Sequence, residues 1–143
     1  MNLRLRTSLA CAAAVLAVAP LAGCYQMGDV QDIAACQAFA AAQSGYDKAA
    51  NTAMANPDDK AKQVEWMGSW IIFGTGMQAA AAIPNTANLK AELGTYNKAI
   101  QDAGPGASAA TQIELWKKGY ATKLVKTCNE LAAPITITDM VVK

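Results

Sequence analysis

The chain has 143 residues, with 12 basic and 11 acidic side chains, no histidine and 4 cysteines. This length favours a single domain, and the 53% apolar content argues against a solvated, disordered chain. A formal net charge of +1 excludes the broad basic field that nucleic-acid-binding proteins carry.

The first 24 residues have the features of an export segment. Two arginines precede an uncharged run, Thr7 to Leu21, that is too short for a membrane-spanning helix. The run ends in Leu21-Ala22-Gly23-Cys24, which resembles the lipobox of bacterial lipoproteins. This resemblance implies that residues 1–23 are a signal peptide that is removed. It also implies that Cys24 carries fatty acids such as palmitate and anchors the chain to the extracytoplasmic face of the cell membrane. An ordinary signal peptide cut beside a cysteine is the alternative.

The chain that remains after residue 23 contains neither arginine nor histidine. Arginine is the usual bidentate partner of phosphate and carboxylate groups, and histidine is the commonest general base and metal ligand. A Ser-His-Asp triad is therefore impossible, and Ser44, Ser69 and Ser108 have no strand-turn-helix context. We expect no enzymatic activity, no cofactor and no metal site.

Two cysteines lie beyond the predicted anchor, Cys36 and Cys128. An exported protein occupies an oxidising compartment, so we predict a disulfide between them. A metal site is the alternative, but two isolated cysteines without histidine provide too few ligands.

The first half of the domain predicts two helices. Residues 24–28 are a short lipid-anchored tether, and Asp29 caps a first helix that runs to about Ala55. Its apolar positions alternate in steps of three and four: Ala35, Phe39, Ala42, Tyr46, Ala49 and Ala53. Asn56 and Pro57 predict the start of a second helix, because asparagine is a good N-cap and proline fits the first turn. This helix ends before Pro84, and its apolar positions are Val64, Trp66, Met67, Trp70, Ile71, Phe73, Met77 and Ala81.

The second half predicts two further helices and a tail. Asn85 or Thr86 begins the third helix, and Gly104-Pro105-Gly106 ends it. Its stripe comprises Leu89, Leu93, Tyr96, Ile100 and Ala103. The fourth helix begins at Ser108 or Thr111, and Glu114 and Lys118 within it have ion-pairing spacing. Its stripe comprises Ile113, Trp116, Tyr120, Leu124, Cys128 and Leu131. Residues 134–143 are predicted to form an extended tail.

Four amphipathic helices joined by short turns predict an all-α, up-down-up-down four-helix bundle over residues 29–133. In that topology the first and fourth helices are antiparallel neighbours. The start of one then lies beside the end of the other, which brings Cys36 close to Cys128. The predicted topology and the predicted disulfide support each other.

The second helix is the candidate binding element. No charge occurs from Trp66 to Leu89, and Trp70-Ile71-Ile72-Phe73 is apolar on every side of a helix. One face of a bundle cannot bury all four side chains, so a partner or ligand surface is predicted around Trp66, Trp70, Phe73 and Tyr96. The alternative is that this is the most central helix. Gly74 and Gly76 permit either close helix packing or a kink that opens a ligand cleft.

We expect a lipid-anchored, non-catalytic module that engages a protein partner at the cell envelope and no nucleic acid. Prophage-type exclusion or protective lipoproteins are similar in being small and tethered. The alternative is a carrier of a small apolar ligand such as haem or lipid inside the bundle. The layout is similar to exported helical haem carriers with a disulfide, which implies an iron-ligating tyrosine among Tyr25, Tyr46, Tyr96 and Tyr120.

The core distinguishes the two functions. A cavity above about 300 Å³ among Trp66, Trp70 and Tyr96 favours the carrier. A filled core with an exposed apolar patch favours the partner-binding module. Buried tyrosine rings on apolar stripes are the simpler interpretation of Tyr46, Tyr96 and Tyr120.

Overall fold

The computed structural model describes residues 27–131 and 135–137. Within these ranges the chain is all-helical, with no strand. Five helices form the fold: α1 (Met27–Ala55), α2 (Lys60–Ala82), α3 (Ala87–Ala103), α4 (Ala109–Lys117) and α5 (Tyr120–Glu130). α1 contacts α2 and α5, and α3 contacts α2, α4 and α5, so the helices form a bundle around one core.

The predicted export segment and its anchor, Cys24, lie outside the described residues. The same is true of the tail from residue 138 onward and of residues 132–134. None of the helices in the described part of the chain is both long and apolar enough to cross a membrane.

α1 begins earlier than predicted. It starts at Met27, so Asp29 lies in its first turn and residues 27–28 belong to the helix and not to the tether. A carboxylate is favourable in the first turn as well as at the N-cap, because it complements the helix dipole in both places. The position of Asp29 therefore does not define the first residue of the helix.

The predicted cap of α2 is wrong. Asp59 is the N-cap, and its carboxylate accepts hydrogen bonds from the backbone N–H groups of Ala61 and Lys62. Asn56 instead serves the end of α1, where its side-chain amide donates to the carbonyl of Thr52 at 2.9 Å. Asparagine can satisfy either a helix start or a preceding helix end, and the local sequence does not distinguish the two.

The predicted fourth helix is divided into α4 and α5 at Gly119. This glycine has φ +72°, a left-handed conformation that side chains other than glycine rarely adopt. α4 ends at Lys117, with Lys118 as its C-cap directly before Gly119, which is a typical helix C-terminal pattern. The predicted pair of Glu114 with Lys118 is also wrong, because Lys118 is past the helix end and Glu114 pairs with Lys117 at 2.8 Å.

The predicted disulfide is confirmed. Cys36 and Cys128 are bonded, with their Cα atoms 5.7 Å apart, and both are fully buried. The bond joins the first part of α1 to the last part of α5. The described tail continues from this end of the bundle, where Ile135 is buried and its N–H donates to Asn129 Oδ1 at 3.1 Å.

A second link at this end comes from Asp32, a buried carboxylate on α1. It accepts hydrogen bonds from the backbone N–H groups of Asn85 and Thr86 and from the Thr86 hydroxyl, which ties α1 to the turn before α3. Burial alone would raise the pKa of Asp32, but the hydrogen bonds from Thr86 and Asn85 outweigh it and hold that pKa below its usual range.

This depressed pKa predicts a dependence of stability on pH. The carboxylate stabilises the fold above its unfolded-state pKa of about 4, and that contribution disappears as the pH falls through the lower folded-state pKa. The free energy of unfolding should therefore be steady from pH 7 to about 5 and fall below about 4. In urea denaturation, Asp32→Asn should reduce this fall in the free energy of unfolding below about pH 4. The control Asp58→Asn, at an exposed position, should show the same fall as the parent. Identical acid limbs for the parent and Asp32→Asn would contradict this role.

Gly76 permits the close contact between α1 and α2. A Cβ atom at this position would lie 2.8 Å from the Cβ of Ala42, which is too close for two carbon atoms. Of the two alternatives for these glycines, close packing therefore holds at Gly76. Gly74 has more room, because a Cβ there would lie 3.4 Å from Ile100 Cγ2.

Candidate functional site

The four side chains predicted as a binding surface lie in the core. Trp66, Trp70 and Tyr96 are each 3% exposed and Phe73 is 1% exposed, so they offer no surface to a partner. Phe73 lies at the centre of the cluster, with its ring stacked on that of Tyr46 at a centroid distance of 4.9 Å and close to Trp70 and Tyr96. The prediction is corrected because the large rings of α2 all point to the side that α1 and α3 cover.

Polar side chains within the core hold these rings in place. The Tyr46 hydroxyl donates to Gln112 Oε1 at 2.9 Å, and Gln112 donates in turn to the carbonyl of Ala107. The Tyr96 hydroxyl donates to Gln43 Oε1 at 3.1 Å, and Gln43 donates to Asp47 at 2.8 Å. The network links α1 to α3 and α4, and periodicity did not reveal it because glutamine and aspartate break an apolar stripe.

Both tyrosines of this network are neutral phenols. Burial raises the pKa of Tyr46 to about 12, and burial likewise raises the pKa of Tyr96. A tyrosine that ligates haem iron must present its oxygen to the metal. The oxygens of Tyr46 and Tyr96 are engaged with Gln112 and Gln43 instead.

The side of α2 opposite the core carries the exposed apolar surface. Val64 is 71% exposed, Ile71 55% and Ile72 75%, whereas the neighbouring Trp70 and Phe73 are buried. The prediction that one face cannot bury Trp70, Ile71, Ile72 and Phe73 together is therefore confirmed. Val64 and Ile71, two of the apolar positions of the predicted second helix, lie on the exposed side and not in the core. We call the exposed side, with these three residues at its centre, the outer face of α2.

An open groove borders this outer face. It has a volume of about 280 Å³ and lies between α2 and α3. Trp70, Ile71, Gly74 and Thr75 line it from α2, and Ile100 lines it from α3. The groove is a continuation of the apolar surface and not an interior cavity among the aromatic rings.

A second groove, of about 260 Å³, lies where α3 meets the break between α4 and α5. Two of its three charged side chains are paired with each other. Glu92 bonds to Lys123 Nζ at 3.2 Å and accepts a hydrogen bond from the Thr127 hydroxyl at 2.7 Å. This pairing leaves Lys118 as the remaining charged side chain on its wall, with Tyr120 beside it.

The described residues contain no group of three or more histidine, cysteine or acidic side chains that could hold a metal ion. Two of the serines considered as nucleophiles have structural roles. The Ser69 hydroxyl donates to the carbonyl of Trp66 at 2.7 Å, and Ser108 caps α4 by accepting from the N–H of Thr111. What the arrangement offers chemically is an uncharged apolar surface beside a shallow groove.

Comparison with known proteins found no matching family model, no similar curated protein and no similar solved structure.

Proposed function

We propose that this protein is a lipid-anchored, extracytoplasmic, non-catalytic interaction module that engages a protein partner at the cell envelope. The observation that carries the proposal is the outer face of α2, which is apolar, uncharged and exposed on the side opposite a core of buried aromatic rings that contact one another. Exposed apolar patches that are larger than scattered single residues typically mark interaction sites. The proposal includes an up-down-up-down arrangement in which α4 and α5 together take the place of the fourth helix of the bundle.

The carrier of haem or lipid has less support. Such a protein needs space among its aromatic side chains, and here those rings contact one another at centroid distances between 4.9 and 5.8 Å. The hydroxyls of Tyr46 and Tyr96 are taken up by glutamine side chains. The open groove beside α2 is a better fit to a protein side chain than to an enclosed cofactor.

Anchoring at Cys24 gives the bundle an orientation. Two residues lie between Cys24 and Met27, and the three Cα–Cα steps from one to the other span about 10 Å when the chain is extended. The end that contains the disulfide then lies close to the lipid headgroups. The turns between α1 and α2 and between α3 and α4 point outward, and the outer face of α2 points sideways where it meets other envelope proteins.

Membrane fractionation and crosslinking test the two parts of the proposal. Cys24→Ala should move the protein from the membrane to the soluble fraction, or leave the precursor uncleaved, because the anchor is lost. Ile72→Glu should reduce recovery of crosslinked partner, since a charge in the centre of an apolar face costs desolvation energy. The matched control is Thr122→Glu on the exposed side of α5. Unchanged fractionation would contradict the anchor, and unchanged crosslinking would contradict the binding face.

A further inference from the structure

Seven exposed positions on the outer face of α2 have the spacing of a helix-pair interface. They alternate in steps of three and four: Ala61, Val64, Gly68, Ile71, Thr75, Gln78 and Ala82. All seven are exposed, and none is charged. Ile72 and Ala79 are exposed as well and lie along one edge of this row. A repeat of 3.5 residues is the pattern with which two helices pack along a common seam. We call these seven positions the α2 seam.

The α2 seam alternates larger and smaller side chains. Val64, Ile71 and Gln78 are the larger ones, and a small residue lies between each pair. A facing helix can therefore place its larger side chains over the small positions and approach closely. The seam lies directly opposite Trp70 and Phe73 on the helix, so that its engagement would leave the core unchanged.

Charged residues flank the seam at one end only. Lys60 lies on one side of it and Glu65 on the other, and both are exposed. Within one copy Glu65 pairs with Lys62 at 3.2 Å on the exposed surface, so Lys60 of a second copy would share this carboxylate. In a parallel pair of helices, a residue that flanks the seam as Lys60 does faces the residue five places later on the partner helix. Charge pairs at these positions favour a parallel or an antiparallel orientation of the two helices. Lys60 of each copy would then face Glu65 of the other. In an antiparallel pair, both residues would face the uncharged C-terminal half of the partner's α2.

We propose that the partner on the α2 seam is a second copy of this chain, packed in parallel about a two-fold axis. This inference rests on the proposed function, because it names the occupant of the same face. The charges at Lys60 and Glu65 are complementary in this arrangement, and each occurs twice. A parallel pair also keeps both copies of Met27 at the same end of the dimer. Two anchors at Cys24 then reach one membrane, where tethering raises the effective concentration of each copy.

Single cysteines placed in the full chain test the arrangement in membranes. Val64→Cys, Ile71→Cys and Gln78→Cys should each form a disulfide-linked dimer with itself under mild oxidation, because identical positions face each other in a parallel pair. The matched control is Val30→Cys, an exposed apolar site on α1. The yield at the α2 seam should exceed that of the control and of the parent chain by about tenfold. Native Cys36 and Cys128 are bonded and buried and do not compete.

Charge reversal provides a second measurement that does not use cysteines. Lys60→Glu or Glu65→Lys alone should lower the dimer fraction in sedimentation velocity of the full chain in detergent, because like charges then face each other. The double variant should restore the dimer. Circular dichroism and the melting temperature establish that each variant remains folded, and both positions are exposed, so the core is unaffected.

Three results would overturn the inference. One is a yield at Ile71→Cys no greater than that at Val30→Cys. Another is efficient linkage of Val64→Cys only to Gln78→Cys in mixed membranes, which indicates an antiparallel pair. The third is protection of all three seam cysteines from a soluble maleimide by the membrane itself, without dimer formation, which indicates that lipid covers the face. If Ile72→Glu still abolishes recovery of a different protein, the proposed function stands and only the second copy is excluded.

Discussion

Replacing both Cys36 and Cys128 by alanine should lower the free energy of unfolding by about 4 kcal/mol. The disulfide joins residues separated by 92 positions, so it restricts the unfolded chain over most of the domain. Domains of this size are stable by about 5–15 kcal/mol, and alanine contributes little buried area to this core. We therefore expect the variant to be folded but much closer to its unfolding transition.

Urea denaturation with and without reductant checks this expectation. Reductant should destabilise the parent by an amount similar to that of the double substitution, and it should have no effect on the double variant. Replacing both cysteines avoids leaving one buried thiol without its partner. A parent chain whose unfolding midpoint is insensitive to reductant would contradict the assigned role of the bond.

Phe73→Ala should cost about 3–5 kcal/mol, whereas Ile72→Ala, one residue earlier, should change stability by no more than about 0.5 kcal/mol. Phe73 is 1% exposed and its ring contacts Tyr46, Trp70 and Tyr96, so that its removal leaves a cavity among large side chains. Ile72 is 75% exposed and leaves no cavity. The comparison of these two neighbouring variants therefore distinguishes the core side of α2 from its outer face.

Thermal and urea denaturation measure both variants, at protein concentrations low enough for the chain to be monomeric. The spectrum of the folded state should stay helical in each case. Equal losses of stability at the two positions would show that Ile72 is buried, and the outer face of α2 would then have to be redefined. A loss at Ile72 that appears only at high protein concentration would instead agree with self-association.

Local sequence signals predicted α1 and α3 well because each of these helices is amphipathic, with one apolar side and one polar side. In α3 four residues of the predicted stripe are buried, namely Leu89, Leu93, Tyr96 and Ile100, and the fifth, Ala103, is half-buried. Most of the charged residues of α3 are exposed. The apolar period therefore has one possible orientation toward the core. The break at Gly119 was also encoded locally, since two lysines followed by a glycine are typical of a helix end. The longer apolar period across it led to the prediction of one continuous helix.

Composition, helical periodicity and the number of cysteines determined by themselves that the described chain is all-helical and that Cys36 pairs with Cys128. The orientation of α2 was decided only by the tertiary structure, because a helix that is apolar on every side has no polar face to point outward. Gly76 allows α1 to approach at Ala42, and the rings of Trp70 and Phe73 are larger than the isoleucines beside them. Burying those rings between α1 and α3 removes more apolar surface from water, and Ile71 and Ile72 are left on the outer face.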